Sequence, residues 1–114
     1  MIGANGMGLD QWAWARKDEQ KQEIMYWRKH PNLQDWMEDL YDLQNGEGSL
    51  NCIELPLSKE NIIDLHKEHR TLANSSGPFW GETTPEKIQQ TEEFISKALL
   101  LIEDGWQISY YSWW

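Results

Sequence analysis

Cysteine occurs once in this chain, at Cys52. No intramolecular disulfide can form, and such usage fits a reducing compartment, the cytoplasm. Long apolar runs are missing as well. The longest, Ala98 to Ile102, spans five residues, against the ~20 that cross a bilayer. The opening Met-Ile-Gly-Ala-Asn-Gly-Met-Gly has neither a basic start nor an apolar segment, so it does not read as a signal peptide. Residues 1–8 read instead as a flexible leader to a single domain over 9–114. Basic side chains are scarce: ten Lys and Arg against nineteen Asp and Glu leave a net charge of −9. That balance disfavours direct binding to nucleic acid or to an anionic membrane. No paired-cysteine or His-Glu-x-x-His spacing is present, and His66 and His69 lie three apart without a further ligand motif. No metal site and no cofactor are expected. Cys52 and the serines lack the local motif of a nucleophilic enzyme, and Cys52 reads as a small buried residue on a strand.

What is present is aromatic. Eight tryptophans stand among 114 residues. Each buried ring removes ~200 Å² from water, so most are expected in a small core. The clearest periodic stretch runs from Tyr26 to Tyr41. Leu33, Trp36, Met37, Leu40 and Tyr41 recur at helical spacing. Asp35, Glu38, Asp39 and Asp42 mark the opposite, acidic face. Pro31 fits a first helical turn, which makes His30 the cap.

Upstream, residues 9–16 alternate, with Gln11, Ala13 and Ala15 on one side and Asp10, Trp12, Trp14 and Arg16 on the other. A polar connection over 17–22 then leads to a strand over 23–27, giving a hairpin. A helix over 17–28 is the alternative, because Lys, Glu and Gln favour helices. Downstream, Asn51 to Leu57 alternates as a short strand held to an edge by Pro56. Ser58 caps a second helix with Ile62, Leu65, His69 and Leu72 inward. Thr84 and Pro85 start a third, with Ile88, Thr91, Ile95, Leu99 and Ile102 inward and Gly105 as its stop. The closing Trp106–Trp114 run reads as a strand that pairs with the hairpin. The expected architecture is α+β: a small antiparallel sheet, made of an N-terminal hairpin and a C-terminal strand, packed by about three helices.

Three pieces, Gly-Leu-Asp-Gln-Trp at 8–12, Tyr-Trp-Arg-Lys at 26–29 and Phe-Trp-Gly at 79–81, stand with an aromatic ending, Tyr-Tyr-Ser-Trp-Trp. Together the set resembles small uncharacterised proteins of tailed bacteriophages, including phages of cyanobacteria. Pro31 departs from that pattern. The resemblance implies a phage-encoded protein in the cytoplasm of an infected host cell, and it implies no catalytic residues.

Two function classes follow. In the first, the chain is an interaction module that modulates a host protein with a basic surface, or assembles with itself. Asp35, Glu38, Asp39 and Asp42 would steer it, and Trp113 and Trp114 would anchor it. In the second, Trp27, Arg28, Lys29, His30 and Trp80 form a pocket for a nucleotide or another flat anion at a strand-to-helix junction.

Overall fold

The computed structural model describes residues 8–44, 46–69 and 84–114. The element order is β1 (Asp10–Lys17), β2 (Gln20–Arg28), α1 (Pro31–Leu43), β3 (Leu55–Leu57), α2 (Lys59–Glu68), α3 (Pro85–Glu103) and β4 (Gln107–Trp113). The four strands form one antiparallel sheet in the order β2-β1-β4-β3. The α+β architecture read from the sequence is the one observed, with the short edge strand expected over Asn51–Leu57 confined to Leu55–Leu57.

The hairpin is tighter than the composition of residues 17–22 implies. Only Asp18 and Glu19 lie between the strands, and Asp18 takes the left-handed backbone (φ 55°) that such a turn needs. The Gln-Lys-Gln-Glu segment is strand, not connection and not helix. It stays polar because β2 is an edge strand with its first four residues exposed. Between Ala13 and Trp14 the register shifts by one residue, which places Ile24 as the extra residue of a bulge on β2.

The helix starts are set by the residues that local chemistry selects. His30 caps α1 by accepting from the Leu33 amide through Nδ1, and Pro31 fills the first turn. Ser58 and Asn61 form a reciprocal capping box on α2. Thr84 accepts from the Lys87 amide at the head of α3. Gly105, at φ 92°, makes the left-handed turn that releases the chain into β4.

The core lies between the sheet and the helices. β1 contributes Ala13 and Ala15, β2 Ile24 and Trp27, β3 Leu55 and Leu57, and β4 Ile108 and Tyr110. α1 contributes Leu33 and Met37, α2 Ile62 and Leu65, and α3 Phe94, Ile95 and Ala98. Of the α1 residues expected inside, Trp36, Leu40 and Tyr41 are only partly buried at the rim. Leu72 lies outside the described residues.

The tryptophans are the principal correction. Among the seven that are described, only Trp27 is fully buried. β1 turns Gln11, Ala13 and Ala15 inward and leaves Trp12 and Trp14 half-buried on the other face. Small residues fit there because the flanking strands fill the inner face with Trp27 and Tyr110, whose rings sit 6.4 Å apart. Cys52 is corrected too: it is exposed in a turn, at φ 64°, ahead of the short β3.

A chain of polar groups crosses this core. The Gln11 amide nitrogen donates to the Tyr110 hydroxyl (2.8 Å) and to the His30 carbonyl (3.0 Å), while Gln11 Oε1 accepts from the His30 amide (2.7 Å). The Tyr110 hydroxyl donates to Gln34, whose amide nitrogen donates to Glu38 at 2.9 Å. These bonds tie the sheet to α1 through the buried Gln11, His30, Tyr110 and Gln34, and the chain ends at the half-buried Glu38. Burial also pushes the Tyr110 phenol up from its ordinary pKa. Tyr110→Phe keeps the ring and leaves Gln34 and Gln11 short of a partner. It should cost about 1–3 kcal/mol in urea unfolding; an unchanged midpoint would remove the network from the account of stability.

Candidate functional site

The helices pack on one face of the sheet, so the other face carries the residues of opposite parity. Cross-strand register aligns Tyr26, Trp12 and Tyr111 in one row, since Trp12 pairs with both of the others. Their rings are 5.6 and 5.7 Å apart and tilted by 48° in each case. This is ordinary aromatic contact across neighbouring strands. Trp14 lies farther along β1, beneath the Lys21 ammonium at 4.6 Å. Trp113 pairs with Asp10 and is 43% exposed, and Tyr26 is 38% exposed. Five aromatic side chains thus share one sheet face that no described helix covers.

Charges frame the row at both ends. At one end Asp10 accepts from the Tyr26 hydroxyl at 2.6 Å and lies 3.5 Å from Arg28. Partial burial, with the Asp10 carboxylate second, raises the Tyr26 phenol above its usual pKa. At the other end Arg16 holds Glu54 with two bonds of 2.9 and 3.1 Å. Ser109 adds a third at 2.6 Å, and Lys21 lies 3.8 Å away. The Arg16 bond leads in pulling the Glu54 carboxyl down to about 2. Around the row Arg16, Lys21 and Arg28 meet Asp10 and Glu54, so among the described residues the excess negative charge is not concentrated here.

Part of that excess lines α1. Asp35, Asp39 and Asp42 are exposed and Glu38 is half-buried. Burial raises the Glu38 pKa, the Gln34 bond opposes it, and the three neighbouring aspartates add to the rise. The predicted acidic face thus exists. It belongs to the helical layer, since Gln34 on the same helix meets the inward Tyr110. Trp113 belongs to the outer sheet face, so the predicted partner residues form two surfaces. Trp114 joins neither: its backbone N–H and carbonyl are both held by Asn51, at 3.0 and 3.2 Å, and its ring packs against the core.

The residues predicted for an anion pocket do not converge. Trp27 is wholly inside, edge-on to Phe94 at 5.3 Å, with its indole N–H on Thr91 at 3.1 Å. It offers no stacking face. Arg28 points to the opposite side of the sheet, toward Asp10. His30 is 2% exposed, with a pKa lowered to about 4, first by burial and then by Lys87 and His69. The first turn of α1 is closed, because Pro31, Asn32 and Leu33 are all buried. Lys29 stands in a left-handed kink (φ 59°), its amide on the Leu9 carbonyl and its own carbonyl on the Lys87 ammonium. Trp80 lies outside the described residues.

Among the described residues no group of three His, Cys, Asp or Glu side chains is placed to hold a metal ion, and no helix is long and apolar enough to cross a membrane. The rings of His66 and His69 stack at 6.3 Å, with His69 buried. Comparison with family models, with curated proteins and with solved structures finds no match for this chain.

The outer aromatic row was missed because alternation does not say which side of a strand faces in. Its signal was nonetheless present: Trp12, Trp14 and Arg16 share a parity, and an arginine on a buried face would need a partner.

Proposed function

We propose that the protein is a small interaction module that docks on another protein through the outer face of its sheet. The observation that carries this is the row Tyr26–Trp12–Tyr111, with Trp14 and Trp113 beside it, on a sheet face that no described helix covers. Tyrosine and tryptophan supply large contact area at little cost in side-chain freedom, and they dominate binding energy where they meet a partner. The net charge of −9 favours a partner that is basic overall, while the patch that meets this face would carry charges of both signs to match Asp10, Arg28, Arg16 and Glu54. Asp35, Asp39 and Asp42 then act at long range, raising the rate of encounter more than the final affinity. The resemblance to small phage proteins makes a protein of an infected host cell the expected partner, and the cytoplasm the expected setting.

The test is capture from host lysate with the wild-type chain and with Tyr26→Ser/Trp113→Ser, at low and high salt. A basic protein held by the wild type and lost at least ~10-fold by the variant supports the reading, since loss of two aromatic contacts exceeds 1.4 kcal/mol. Higher salt should weaken capture of the same protein. Equal capture by both chains, or none by either, removes the outer face from consideration.

A further inference from the structure

The two edges of the sheet are treated differently. β3, at one edge, is three residues long and contains Pro56, which cannot donate to a further strand. β2, at the other, is nine residues long with no proline, and among the described residues nothing pairs with its outer side. Long open edges recruit strands unless they are blocked. β2 is blocked only in its second half: the bulge falls at Ile24, and the Lys97 ammonium donates to the Ile24 carbonyl at 3.4 Å. The first half, Gln20 to Glu23, is exposed throughout.

We infer that this half-edge is the interface of a homodimer in which two β2 strands pair antiparallel about a two-fold axis at Gln22. Three observations select a second copy of this chain over another occupant. First, the segment is self-complementary in charge. An axis at Gln22 sets Lys21 of each copy directly opposite Glu23 of the other, so two opposite-charge pairs form at once. Shifting the axis by one residue, to Lys21 or to Glu23, would put like charges face to face. Second, Glu23 is exposed and has no ion pair among the described residues, while Lys21 reaches Glu54 only at 3.8 Å. Third, the helix beneath the edge presents an apolar residue at the same point. Leu100 is 72% exposed and, with Gln22, Ile24 and Leu101, lines a groove of about 320 Å³ between β2 and α3. The two-fold axis that pairs the strands brings the two Leu100 side chains together under the joined sheet, burying surface that β2 alone leaves wet.

The result is a continuous eight-stranded sheet in which both aromatic faces remain open and lie on the same side. Lys21 also lies over Trp14 at the margin of the docking face proposed above, so Leu100→Asp, on the helical side of the sheet, is the variant that tests this interface without touching that face.

Sedimentation velocity over a concentration series of the full chain tests it. The wild type should show a concentration-dependent dimer. Glu23→Lys alone should weaken it ~10-fold or more, as should Lys21→Glu, because each places like charges opposite one another. Lys21→Glu/Glu23→Lys should restore it, and Leu100→Asp should abolish it. These positions are exposed, and retained circular dichroism would confirm folding in each. A wild-type chain that stays monomeric throughout overturns the inference. So does a dimer indifferent to both reversals, or one lost with Tyr26→Ser/Trp113→Ser instead.

Discussion

Trp27→Ala is expected to cost about 3–5 kcal/mol, the range for truncating a large buried aromatic. Trp27 is fully enclosed, touches Phe94 and Tyr110 with its ring, and donates its indole hydrogen to Thr91. Removing it leaves a cavity where sheet and α3 meet and deprives Thr91 of a donor. Against a total of ~5–15 kcal/mol for a domain of this kind, that loss approaches unfolding. Trp113→Ala is the control: its ring is 43% exposed, and the change should stay within ~0.5 kcal/mol. Urea denaturation of both variants decides the matter. Similar losses at the two positions would mean that the rings are not divided between core and surface as described.

The second large effect concerns acid. His30 is held neutral, with its pKa pushed down to about 4 against an ordinary 6.5, because it is buried and faces Lys87 and His69. Its Nδ1 must also stay unprotonated to accept from the Leu33 amide. The unfolded chain therefore binds a proton here before the folded one does. Stability from this group is complete above about pH 6.5 and drains away as pH falls toward 4, by about 3 kcal/mol in all. Glu38 works in the opposite sense: its raised pKa favours the folded state at low pH and gives a partial offset. Glu54, lowered to about 2, loses its contribution only below the ordinary carboxylate range. Between pH 7 and 5 the histidine should dominate. His30→Asn keeps a good capping acceptor that does not titrate. Its urea midpoint should fall less between those two pH values than the wild type's, whatever its absolute stability. Parallel curves would exclude His30 as the acid-sensitive group.

Much of the architecture was legible because it rests on local rules. Pro31, Ser58, Thr84 with Pro85, and Gly105 each mark a helix boundary for a backbone reason that needs no tertiary partner. Alternation gave β1 and β4, and β4 does pair with β1. What escaped was sidedness. A strand of alternating Ala and Trp looks as if it should bury the tryptophans, yet β1 lies between Trp27 and Tyr110 and turns inward Gln11, Ala13 and Ala15. That depends on neighbours far along the chain. The polar opening of β2 misled for a related reason: an edge strand tolerates the residues of a loop. The acidic face of α1 was readable from its spacing. The aromatic row was not, because it exists only once β2, β1 and β4 are in register.

That register has a kinetic consequence. The ladder between β1 and β4 joins Asp10 to Trp113, so the centre of the sheet closes almost the whole described sequence into one loop. The β1–β2 hairpin and the three helices can form from nearby residues. The inner strand pair cannot, and its loop-closure entropy must be met before Ile108 and Tyr110 enter the core. Folding should therefore be slow for a domain of this size, with the β1–β4 seam among the last parts to form. Until it closes, Trp12 and Trp14 stand on a strand with one bare flank, exposed to any chain able to pair with it.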